Sequence, residues 1–152
     1  MSKIYLAGPI SGLTWEESHG WREIMEDLFF GDTLNPLLEQ DKAELSDQEK
    51  STFSDGKSLG QVADMFYARD THWVRQCDIV LANFTNVPKT ASTGTAFEVG
   101  MALALNKLIV VVGPEENVPL FVWKSADVRF EDLEGAISFL RDTTTSWSVY
   151  SQ

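Results

Sequence analysis

The sequence predicts a single doubly wound α/β domain, residues 1–152, built on a mainly parallel sheet. Short apolar runs at residues 3–7 (KIYLA), 79–82 (IVLA) and 108–112 (LIVVV) alternate with longer stretches of helical period. That order gives strand, crossover helix and next parallel strand. LIVVV is apolar at every position, as a strand covered on both faces must be. With 43% hydrophobic residues in 152, the chain is long enough to bury a core of ordinary domain size.

The first run ends in Gly8-Pro9-Ile10-Ser11-Gly12, where the glycines either make a turn or let the backbone approach a ligand closely. Thr14 has the side chain of an N-cap. It opens a helix over 15–30 in which Trp21, Ile24, Met25, Leu28 and Phe29 share one face. Strand, glycine loop and helix begin many nucleotide-binding folds. G-x-G-x-x-G and a Walker lysine are both missing here, which excludes the usual dinucleotide and P-loop readings. Residues 33–38 (TLNPLL) read as a second strand, kept short or at an edge by Pro36. Residues 39–58 are polar and acidic with room for one short helix over 42–49, and a connection of this length reads as a flap over a site. A helix follows over 59–76. Beyond LIVVV and the Gly113-Pro114 stop, residues 117–123 fit a loop or a helix, 128–130 a last strand, and 130–140 a last helix with Leu133, Ala136, Ile137 and Leu140 inward. The polar tail 142–152 either frays or packs on a neighbouring subunit. Strand and helix in this order suit a flavodoxin-like or Rossmann-like sheet.

Composition narrows the function. The formal charge is −11, from 23 acidic and 12 basic residues, so a nucleic-acid polymer or an anionic membrane is repelled overall. A small anion is not excluded, because backbone N–H groups bind one locally. Cys77 is the single cysteine, and His19 and His72 are the two histidines. An internal disulfide is therefore impossible, and neither a metal nor a cofactor is implied. No long apolar stretch stands near the N-terminus, so no signal peptide or membrane span is expected and a cytoplasmic protein is.

The stretch 78–105 (DIVLANFTNVPKTASTGTAFEVGMALAL) organises the rest. It reads as strand, polar loop with Pro88, Ser92 and Gly94, and then an apolar helix carrying one carboxylate, Glu98. Ligands of open α/β sheets sit at such loops, outside the carboxyl ends of the strands. Glu98 is expected in the first helical turn, where the macrodipole favours an ionised carboxylate; a surface acid in the same place would satisfy that rule equally. In the helix 59–76 the apolar stripe Leu59, Val62, Ala63, Phe66, Trp73, Val74 is completed in phase by Asp70. A carboxylate on a buried face needs a partner or a function. Its partner could be an arginine near Arg69 or Arg75; its function would be proton transfer at a pKa raised by burial.

Three segments, Y-L-A-G-P-I-S-G from Tyr5, D-T-H-W-V-R-Q-C-D from Asp70 to Asp78, and G-T-A-F-E-V-G-M-A from Gly94, together resemble the nucleoside 2-deoxyribosyltransferase family. The resemblance covers roughly residues 3–112. It implies that Glu98 is the nucleophile that attacks the anomeric carbon and forms a covalent glycosyl-enzyme intermediate, with the double-displacement logic of a retaining glycosidase. It further implies that Asp70 manages the proton on the departing nucleobase, and that the Tyr5 hydroxyl holds the nucleophile. Without the resemblance, Tyr5 reads as a core aromatic.

One position separates two branches of that family. Transferases acting on free nucleosides often carry an Asp six residues before the nucleophile; here it is Ser92. A serine is similar to the related deoxynucleoside 5′-monophosphate N-glycosidases, where it helps hold the phosphate, which an Asp would repel. The loop Gly8, Ile10, Ser11, Gly12 has the spacing of those hydrolases, but Ser11 stands where some carry an arginine for phosphate. Ser92, Gly94 and these loop residues are the expected substrate contacts. The resemblance implies a small nucleoside or nucleotide and a nucleobase as partners, and a homo-oligomer with sites near subunit interfaces. The leading expectation is transfer of the deoxyribosyl group to another nucleobase. The alternatives are hydrolysis of a nucleoside 5′-monophosphate and a non-catalytic nucleotide-binding module.

Overall fold

The computed structural model describes residues 2–37, 59–87 and 92–150, with side chains assigned outside 59–63 and 145–150. The expected flap at 39–58, its short helix and Pro88 lie outside the described residues. The strands are β1 (Ile4–Ala7), β2 (Thr33–Leu34), β3 (Ile79–Asn83), β4 (Leu108–Val112) and β5 (Val128–Phe130). They form one parallel sheet in the order β2-β1-β3-β4-β5. The helices are α1 (Trp15–Leu28), α2 (Leu59–Gln76), α3 (Thr93–Ala104), α4 (Leu120–Ser125) and α5 (Leu133–Tyr150).

Side-chain alternation along the strands divides the core into two layers. Ile4, Leu6, Ile79, Leu81, Val110 and Val112 face Met25 and Phe29 of α1 and Ala136 and Leu140 of α5. Tyr5, Ala7, Val80, Ala82, Ile109 and Val111 face Val74 of α2, Val99 and Ala102 of α3, and Val122 of α4. Such a sheet must be apolar at successive positions, which is the pattern of KIYLA and LIVVV. From β1 the chain first crosses to β2 on one side and later to β3 on the other. The loops after β1 and β3 therefore diverge, and the crevice between them is the topological switch point where ligands of this architecture bind.

Local chemistry corrects several expected boundaries. Strand β2 stops at Leu34 instead of 38, because Asn35 Oδ1 accepts the Leu37 N–H at 2.9 Å and turns the chain before Pro36. Thr14 caps α1 as expected, in a reciprocal box with Glu17. The expected face of α1 holds at Met25 and Phe29, with Trp21 packed against the same layer, but not at its other two positions. Ile24 and Leu28 are 49% and 40% exposed, while Ser18, His19, Arg22 and Met25 are buried. Residues 117–123 resolve into a 3-10 turn at Glu115–Asn117 followed by α4. The last helix starts at Leu133, where Asp132 Oδ1 accepts the Gly135 N–H at 2.9 Å. It carries the polar tail as far as Tyr150, so the tail backbone is helical, not frayed.

Candidate active site

Tyr5 and Glu98 meet at the switch point. Tyr5, on β1, is fully buried beneath α3, and its hydroxyl donates to Glu98 Oε2. Glu98 is partly buried. It is the sixth residue of α3, whose first turn holds no acid, so it lies in the second turn and outside the reach of the helix dipole expected for it. Burial dominates instead. It pushes the Glu98 carboxyl up to about 7, assisted by the charge of Asp70 and opposed by the Tyr5 hydrogen bond and Arg22. The Tyr5 phenol is raised by burial first and then by Glu98 and Asp70. It stays protonated and serves as a fixed donor.

Asp70, on α2, is partly buried. Burial raises its pKa against an opposing ion pair with Arg69, whose Nη2 lies 2.9 Å from Oδ1. Arg69 is itself held, its guanidinium 4.8 Å from the ring centroids of Phe66 and Trp73 and donating to the Pro36 carbonyl at 2.7 Å. The arginine partner foreseen for Asp70 is thus its own neighbour, and Arg75 is not used. Arg69 fixes the orientation of Asp70 without overcoming its desolvation. Two carboxylates of raised pKa beside a buried phenol can divide nucleophilic and proton-transfer roles near neutral pH.

The loop after β1 approaches the same crevice. Gly8 is buried, and a Cβ there would lie 2.9 Å from the Asn83 carbonyl and 3.2 Å from the Trp21 ring, so the position admits glycine on space alone. Ile10, partly buried, accepts the Leu13 N–H at 3.2 Å in a turn whose Gly12 has φ +82°. Ser11 and Gly12 are exposed. Across the crevice Ser92 is the N-cap of α3. It makes no side-chain bond to the helix backbone and donates instead to Thr95 Oγ1 at 2.9 Å. Gly94, in the first turn, is exposed, and a Cβ there would meet nothing within 4 Å among the described residues. Among the described residues the start of α3 is uncapped, which suits an anion.

Sequence reasoning missed Arg22. Its guanidinium is fully buried behind the Gly8 loop and is electrostatically coupled to Tyr5, Glu98 and Asp70. The available signal was its phase, between Ser18 and Met25 on the face of α1 that turns inward.

A doubly wound sheet with a phenol-bonded carboxylate at its switch point places the molecule among α/β proteins equipped for carboxylate chemistry. The model of the nucleoside 2-deoxyribosyltransferase family matches residues 4–135, and the chain belongs to that family of deoxyribosyltransferases and N-glycosidases. It is 31% identical over 149 residues, 93% of each chain, to a Syntrophotalea carbinolica protein named "Putative 2'-deoxynucleoside 5'-phosphate N-hydrolase 1". The 2-deoxyribosyltransferase of Bacillus psychrosaccharolyticus shares the fold at TM-score 0.61 and 20% identity, covering 90% of each chain. So does the Clostridium botulinum CMP N-glycosidase, at TM-score 0.52 and 19% identity over 91% of this chain and 97% of that one.

Proposed function

We propose that the protein cleaves the N-glycosidic bond of a 2′-deoxynucleoside 5′-monophosphate through a covalent ester on Glu98, with water as the final acceptor. The observation that carries this reading is the Tyr5 hydrogen bond to Glu98 at the switch point, with Asp70 close enough to raise both pKa values. In the first step a Glu98 oxygen attacks C1′ and the C1′–N bond breaks. The bond pair leaves with the base, and Asp70 supplies the base's proton. In the second step water attacks C1′, the pair of the ester bond returns to Glu98, and Asp70 takes the water's proton. Tyr5 holds the attacking carboxylate through both steps.

Two features favour a monophosphate. Ser92 puts a neutral hydroxyl at the uncapped start of α3, where no first-turn acid repels an anion. The Syntrophotalea relative also carries the name of a 5′-phosphate N-hydrolase. Transfer to a second nucleobase is the other reading, favoured by Ser11, which leaves the loop without an arginine for phosphate.

A chromatographic product assay on 2′-deoxynucleosides and their 5′-monophosphates, each with and without added free base, separates the two. Free base released from monophosphates without an acceptor is the expected result. Exchange that needs an acceptor base and ignores monophosphates would establish the transferase. Binding without any product would leave the non-catalytic module.

We also infer a cytoplasmic homo-oligomer. Tyr67 and Phe97 pack ring to ring at 6.0 Å on the outer face of α2 and α3, 60% and 49% exposed, and Leu120 and Phe121 of α4 are 66% and 83% exposed. Exposed apolar side chains on adjoining helices suit a subunit contact. Among the described residues no helix is long and apolar enough to cross a membrane. Sedimentation equilibrium is expected to give a mass above 17.0 kDa, and a monomer at micromolar concentration would contradict the oligomer.

A further inference from the structure

We propose that Arg22 is a positioning residue for Glu98: its buried guanidinium pins the end of β1, the loop beyond it and α1 together, and holds a positive charge toward the site carboxylates. This rests on the reading of Glu98 as the nucleophile.

The geometry is that of a built cation. Arg22 is 0% exposed. Its Nε donates to the Leu6 carbonyl at 3.2 Å, its Nη2 to the Gly8 carbonyl at 3.1 Å, and its Nη1 to the Ser18 carbonyl. The guanidinium carbon sits 4.5 Å from the centroid of the Trp21 ring. One planar fork thus joins a strand end, the candidate substrate loop and a helix, which a point-like ammonium cannot do.

All three acceptors are neutral, and no carboxylate forms an ion pair with Arg22 among the described residues. A buried charge held only by carbonyls is costly unless anions lie near. The titratable groups electrostatically coupled to it are Tyr5 on β1, Glu98 on α3, Asp70 on α2 and His19 on α1 itself. Burial brings Arg22 down to about 10, and Tyr5, Glu98 and Asp70 oppose that fall. In return Arg22 lowers Glu98 and Asp70. The cation therefore favours Glu98 as an anion, both before attack on C1′ and when the ester bond breaks and its electron pair returns.

The test is the pH profile of kcat/KM for R22Q and R22K, using the substrate that the product assay identifies. Removing the charge in R22Q is expected to move the acid limb, which reports Glu98, upward by about half a unit or more. R22K is expected to hold the limb near the wild-type position while KM rises, because the charge survives and the fork to the loop does not. An R22Q limb at the wild-type position, or an equal shift in R22K, would overturn the proposal. Should R22Q not fold, R22K decides alone: a raised KM with the limb held supports it, and a fall in kcat at unchanged KM overturns it. Trapping of the ester in the same preparations keeps the underlying reading separate. A labelled Glu98 with an unmoved limb removes only the role of Arg22, whereas an unlabelled Glu98 in the wild type removes the nucleophile itself.

Discussion

Asp78 and Asp127 at the amino ends of the strands are put to a different use from Glu98 and Asp70 toward the carboxyl ends. Asp78 Oδ2 accepts the Lys3 N–H and Asp127 Oδ2 the Ile109 N–H, both at 2.8 Å. Each acid ties the chain entering one strand to a neighbouring strand, and both remain exposed. Glu98 and Asp70 are partly buried and bonded to side chains, a phenol and a guanidinium, and burial raises both. The amino end even holds a groove of about 570 Å³, lined by Asp78, Leu105, Lys107 and Asp127 among others. Its two acids are already spent on backbone N–H groups. What makes a carboxylate reactive is desolvation together with a partner that leaves it free to change charge.

Removing the proposed nucleophile separates the two ends most sharply. Glu98→Gln is expected to lower kcat by about a thousandfold or more while circular dichroism stays that of the wild type. It also tests the cost of burying the acid. The folded pKa is raised from 4.5 to about 7, so stability is complete below the lower value and is lost as pH rises through the upper one. The loss is on the order of 3 kcal/mol. Thermal melts should show Glu98→Gln more stable than wild type at pH 8 and similar to it near pH 4; a variant no more stable at pH 8 would contradict the burial argument.

Asp70→Asn keeps the shape and removes the proposed proton donor. A fall of about a hundredfold in kcat is expected, with the basic limb of the pH profile flattened. An unchanged profile would assign Asp70 to its ion pair with Arg69 alone. Tyr5→Phe removes the hydrogen bond that holds Glu98 down, so the acid limb should shift upward and activity at neutral pH fall by about tenfold. At the other end, Asp127→Asn should cost about 1 kcal/mol or less in denaturant melts and leave kcat/KM within about twofold. A large rate effect there would erase the contrast between the two ends.

Most of the sheet was legible because burial on both faces leaves an unbroken apolar run, as in LIVVV, that little else produces. The partial burial of Asp70 was legible from its phase on the apolar stripe of its helix. Glu98 was located by its motif, but its turn was misjudged, because α3 starts at Thr93 and takes Gly94 inside the helix. Tyr5 carried no local signal beyond an aromatic in a strand; its proposed role depends on a contact 93 residues away. Arg22 was missed for a different reason. A count of apolar positions treats arginine as a solvent-facing residue, yet three carbonyls draw this one inward and leave Ile24 and Leu28 exposed. Strand β2 was overread because the leucines on either side of Asn35-Pro36 mask an Asn side chain that takes the next free N–H.

The central claim is that Glu98 carries the sugar between the two steps, and the direct measurement is peptide mapping by mass spectrometry after rapid quenching. A 2′-fluoro analogue of the substrate, whose fluorine disfavours the oxocarbenium-like transition state, slows turnover and lets the ester accumulate. The account predicts one sugar adduct per chain on the peptide containing Glu98, and none in Glu98→Gln. Turnover with no adduct there, or an adduct on another residue, would contradict it.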